Sequence, residues 1–111
     1  MTTKDFTNGL TEVIKNLPNY DYNNEESTQM VYQYTTNGVV KYFTIHKQSW
    51  AEDIYLLARY STYQFGWDTY KKRTSTISFT ASEISDVIRK VKNNLRGVDT
   101  IEQVTNVKGL Y

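Results

Sequence analysis

Apolar positions along this chain change period several times, and each change predicts an element. Phe6, Leu10, Val13, Ile14 and Leu17 recur at the spacing of an amphipathic helix. Thr2 or Thr3 can cap it, and Pro18 ends it by disfavouring helical geometry at Leu17. The polar run 19–27 predicts a loop. Two β-prone runs then flank Asn37-Gly38, the preferred pair for a type I′ hairpin turn. Pairing Thr36 with Val39 sets Met30 opposite Ile45, Tyr32 opposite Phe43 and Tyr34 opposite Lys41, an apolar and aromatic face. The other face carries Gln29, Val31, Gln33 and Thr35 against Val40, Tyr42, Thr44 and His46. It is more polar and is expected to meet solvent.

Beyond the hairpin the pattern supports two periods. Ser49-Trp-Ala-Glu52 reads as a capping box opening a second helix, with Trp50, Ile54 and Leu57 on one stripe. Leu56, Tyr60, Tyr63, Trp67 and Tyr70 form another, spaced four, three, four and three. Alternation at Tyr63, Phe65 and Trp67 instead fits a strand. The expectation is a helix to about Tyr63, with 64–72 open between helix and strand. Ile77 and Phe79 alternate with Ser and Thr in a third strand, Thr74–Thr80. A second capping box, Thr80-Ala-Ser-Glu83, launches a helix through Leu95, and Gly97 stops it. The segment 99–111 predicts a short helix capped by Asp99, or a tail.

The resulting expectation is one α+β domain over residues 1–111, in the order α-β-β-α-β-α. A three-stranded antiparallel sheet, built on the Asn37-Gly38 hairpin, carries two or three amphipathic helices on its apolar face. The length suits one domain. No apolar run approaches the roughly 20 residues a membrane-spanning helix needs. The first residues lack the apolar core of a secretory signal, so a cytoplasmic location is the default expectation.

Composition narrows the chemistry. There is no cysteine and one histidine, His46, which excludes thiol nucleophiles, disulfides and any site needing two histidines. No Ser-His-Asp signature, nucleophile elbow or glycine-rich phosphate loop is present. The carboxylate pairs Glu25-Glu26 and Glu52-Asp53 lack calcium-loop spacing. The expectation is a protein that is not an enzyme and uses no metal or cofactor.

Ten tyrosines and two tryptophans suit a protein that works by contact, since both give large, stiff, amphipathic surface. The aromatic candidates for a binding surface are Tyr20, Tyr22, Tyr42, Tyr63 and Trp67. Tyr32 falls on the core face, and the Tyr60–Tyr70 stripe can serve as core too. The net charge is +1, but residues 1–55 hold four basic against seven acidic residues and 56–111 hold nine against five. Lys71, Lys72 and Arg73 follow the aromatic stripe, and Arg89, Lys92 and Arg96 share one face of the last helix. Lys90 is expected to pair locally with Asp86. The function expected is a protein-binding accessory module, one version being a phage or mobile-element inhibitor of a host defence protein. The alternative is nucleic-acid binding, with the six cations on phosphates and Tyr63 or Trp67 stacked on bases.

Overall fold

A computed structural model describes residues 1–48, 54–104 and 107. The predicted capping box Ser49–Glu52, Trp50 and the Glu52-Asp53 pair lie outside the described residues. Helix α1 spans Thr3–Lys15, and the Thr2 hydroxyl caps it by accepting the Asp5 N–H at 3.1 Å. A single turn, α2 (Glu25–Thr28), leads into β1 (Gln29–Thr36) and β2 (Val39–Lys47). Asn37 and Gly38 both have positive φ, 51° and 77°, as a type I′ turn requires. The turn fixes the register expected from it: Met30 faces Ile45, Tyr32 faces Phe43 and Tyr34 faces Lys41.

Two long strands follow, β3 (Ile54–Phe65) and β4 (Asp68–Thr80). A 3-10 turn at Ala81–Glu83 then opens α3 (Ile84–Asn94), and β5 (Ile101–Val104) closes the described fold. Five strands form one antiparallel sheet in the order β4-β3-β2-β1-β5, with α1 and α3 on one face. This corrects the three-stranded expectation. The predicted second helix is β3, the open stretch 64–72 holds the end of β3, the Gly66-Trp67 turn and the start of β4, and the predicted terminal helix is β5. The predicted strand Thr74–Thr80 is the second half of β4.

The main core lies between the sheet and the helices. Leu10 and Ile14 of α1 and Val87 and Val91 of α3 pack on Tyr32, Phe43, Ile45 and Leu57. Phe43 has stacked aromatic neighbours in Phe6, at 6.3 Å, and Tyr34, at 5.1 Å. Each such fully buried large side chain contributes about 1.5–3 kcal/mol. Leu95 and Val98 fill the far end of α3, where Gly97, at φ 85°, lets the chain turn toward β5.

The opposite face of the sheet is not the solvent face expected of it. Val31, Tyr42, Ala58 and Tyr60 form a second buried cluster there, with Val40, Val104 and Val107 packed against it. Thr44 is fully buried on this face. The loop after α1 also meets it: Tyr20 donates its N–H to Lys47 O at 3.2 Å, and its ring lies 4.5 Å from that of His46.

The two edges of the sheet differ. The outer side of β5 meets residues 1–3 at its beginning. Ile101 N–H donates to Met1 O at 2.8 Å, and Thr3 N–H donates to Asp99 O at 3.2 Å. The outer side of β4, 13 residues long, has no strand beside it among the described residues.

Candidate functional site

The outer part of the β3–β4 hairpin stands clear of the sheet. Strand β2 accompanies β3 only as far as Lys41 opposite Ser61, while β3 and β4 continue pairing to Phe65 opposite Asp68. The Thr62 hydroxyl donates to Val40 O at 2.8 Å and ties the arm to β2. Gly66 and Trp67 make the two-residue turn. Gly66 has φ 61°, the positive value that a type II′ turn needs at its first central position.

A bulge at the foot of the arm decides which side chains share a face. Arg59 pairs with Ser75 but Tyr60 pairs with Arg73, so Thr74 is an extra residue in β4. Its hydroxyl donates to Arg59 O at 3.2 Å. One inserted residue reverses the alternation of β4 beyond it. Tyr70 and Lys72 therefore join Tyr63 on the helix-side face, and Lys71 and Arg73 join Tyr60 on the other.

The arm ends in exposed aromatics. Trp67 is 100% exposed, Tyr63 50% and Tyr70 41%. The Tyr63 and Tyr70 rings stack at 5.4 Å with 23° between their planes. The Tyr70 hydroxyl donates to an Asp68 carboxylate oxygen at 3.4 Å. Cations lie on both faces of this ribbon. Arg73 is partly committed: it donates twice to the Tyr60 hydroxyl, at 3.2 and 3.0 Å, and its guanidinium carbon lies 5.5 Å from the ring centre. Lys72 is exposed and Lys71 half-buried.

Arg59 anchors the arm to the body. Its Nε donates to the Ser75 hydroxyl at 2.6 Å, and its guanidinium also donates to Asn94 at the end of α3. Arg59 also acts on Tyr34. Burial pushes the Tyr34 phenol above its usual range, and the nearby charge of Arg59 partly opposes that rise.

Of the aromatic candidates read from the sequence, Tyr63 and Trp67 come together on the arm. Tyr22 is exposed elsewhere, at 68%, edge-on to the half-buried Tyr20 at 4.9 Å. Tyr42 is 8% exposed, so its expected place on a contact surface is corrected: it belongs to the second cluster. Tyr70 belongs to the arm and was legible only as a member of the stripe. On α3, Asp86 pairs with Arg89 at 3.0 Å rather than with Lys90. Lys92 and Arg96 are exposed near the end of the helix. The described contact between α3 and the arm runs through Arg59 and Asn94 at the arm's foot, not through these cations.

Among the described residues, no group of three or more His, Asp or Glu side chains gathers as a metal site. No helix among them is long and apolar enough to cross a membrane. A polar cleft of about 380 Å³ lies where β5 begins, with Asp99 and Glu102 among its lining residues and Gln33 and Thr35 across from them. No family model, curated protein or solved structure matches this chain.

Proposed function

We propose that this chain is a non-catalytic binding module that engages a protein partner through the aromatic end of its β3–β4 arm. The observation that carries the reading is the fully exposed Trp67 beside the exposed Tyr63–Tyr70 stack. Three large aromatics held open to water add little to the stability of the fold itself. Trp, Tyr and Arg are the residues that dominate protein interfaces when a partner's pocket desolvates them. Stacking pre-orders the two tyrosines, which lowers the entropy lost on contact. An accessory role, modulating a larger cytoplasmic protein, suits a module of this size.

The test is affinity capture from lysate with the native chain, Trp67→Ala and Tyr63→Ala. Loss of the same captured protein with Trp67→Ala supports the reading. Retention of that protein by both variants removes the arm from the interaction.

One observation favours a second reading, nucleic-acid binding. Lys72 lies on one face of the ribbon and Lys71 and Arg73 on the other, and a two-stranded ribbon fits a major groove whose walls are anionic. Titration of labelled oligonucleotides at low and moderate salt separates the readings. Affinity that falls steeply with salt supports this one, because phosphate contacts release counterions. Absent binding at low salt discards it.

A further inference from the structure

We infer that a second copy of this chain adds to the inner half of β4, Ser75–Thr80, as an antiparallel strand about a two-fold axis at Ile77. The sheet has unequal edges. The β5 side is four residues long among the described residues, carries Glu102 and is engaged by Met1 at Ile101. The β4 side is three times as long and has no strand beside it among the described residues. An unpaired edge presents a row of N–H and C=O groups that a further strand satisfies, and proteins usually blunt such edges with charge, proline or a bulge. Here the outer half of β4 has Lys71, Lys72, Arg73 and the Thr74 bulge, whereas Ser75–Thr80 has no charge, no proline and no bulge. The blunting thus stops where the inner half begins.

The occupant follows from the symmetry of that segment. Antiparallel pairing about Ile77 sets Ile77 opposite its own copy, Thr76 opposite Ser78 and Ser75 opposite Phe79, with no like charges opposed. Beyond the Thr74 bulge the count shifts by one, so the same register brings Lys71 and Lys72 of one copy level with the turn Ala81–Glu83 of the other, where Glu83 supplies the opposite charge at both ends of the pairing. Ile77 is half-buried on the helix side of this edge and, like Ile88 of α3, packs against the main core. A notch of about 80 Å³ lies beside it, with Ile77, Phe79 and Val87 in its lining and Glu83, Asp86 and Lys90 among its polar groups. Pairing covers Ile77 and leaves the tip of the arm, at the far end of β4, free for its own partner.

The experiment is the mass in solution, by light scattering on an eluting sample or by sedimentation, across a dilution series. Thr76 and Ser78 are exposed, so lysines there leave the fold intact, as circular dichroism checks. The native chain is expected at twice its 13.0 kDa, and Thr76→Lys/Ser78→Lys at a single mass, because each lysine then faces a lysine of the other copy. Thr76→Lys/Ser78→Glu, which places opposite charges across the same register, is expected to pair again. A native chain that stays at one mass at every concentration overturns the proposal and leaves the edge to a strand of another protein. A double-lysine variant that still pairs overturns the assignment to β4, and a lysine-glutamate variant that does not pair overturns the register.

Discussion

Tyr63 and Tyr70 stack across the β3–β4 hairpin at 5.4 Å, yet both remain open to solvent. They share a face because Thr74 is bulged out of the ladder below them. Together with Trp67 they turn the end of a hairpin into a contact surface.

Trp67→Ala should leave stability within about 0.5 kcal/mol of the native chain, because a fully exposed side chain has no packing to lose. Its effect on partner binding should be about 2 kcal/mol or more, the size expected of a central interface aromatic. Thermal melting and a binding isotherm, run on the same preparations, measure the two effects separately. A large drop in melting temperature would contradict the exposure of Trp67.

Gly66→Ala and Gly9→Ala should move stability in opposite directions. An added Cβ meets nothing within 4 Å at either position, so sterics do not separate them. Gly66 has φ 61°, where an L residue costs about 1–2 kcal/mol. Gly9 lies inside α1, where alanine is better than glycine by about 1 kcal/mol. Denaturant midpoints of the two variants against the native chain give both signs.

Thr44→Val should stabilise the fold by about 1 kcal/mol. Thr44 is fully buried, and its hydroxyl has no hydrogen-bond partner among the described residues. Valine keeps the shape and removes a desolvated polar group. Chemical denaturation reads the change, and a loss of stability would show that the hydroxyl is in fact satisfied.

Alkaline pH should destabilise the domain through Tyr32 and Tyr34. Burial raises both phenols above their ordinary value, with Arg59 partly opposing the rise at Tyr34. In the unfolded chain they ionise near pH 10, while the folded chain still holds its protons. Their contribution is therefore complete below that pH and is lost as pH rises toward the folded values. Tyr34→Phe should shift the alkaline unfolding limb upward, as tyrosinate absorbance and circular dichroism followed together can show. At the acidic end, the Thr80 backbone N–H bonded to Glu83 is the largest cause holding that carboxyl low, with the Thr80 hydroxyl second. Its contribution is present above the unfolded carboxylate range and is lost as pH falls through the lowered folded value. Glu83→Gln should flatten that part of the acid limb.

What the sequence conveyed depended on how local the governing interaction was. The β1–β2 register followed from Asn37-Gly38 alone, and α1 and α3 from single apolar stripes. Strand β3 was hidden because it is buried on both faces. Tyr55 and Leu57 face the helices, while Ala58 and Tyr60 face the second cluster, so the alternation that marks a strand is lost. Strand β5 gave the same false signal, with Ile101 in one cluster and Val104 against the other. The hairpin register puts Tyr42 on the correct side of the sheet but does not reveal its burial, since nothing near it in sequence shows that Val107 packs on that side. Trp67 and Tyr63 were legible as aromatics in surplus. Their gathering on one arm required the Thr74 bulge, which no local motif announces.

The contact between Met1 and β5 bears on growth of the sheet. A sheet open at both ends can add molecules without limit, and that is the route to fibres. Met1 already takes up the outer side of β5 at Ile101, and Thr3 holds Asp99 just before it, so the proposed pairing at β4 would leave at each end of the joined sheet a short strand partly occupied by its own chain.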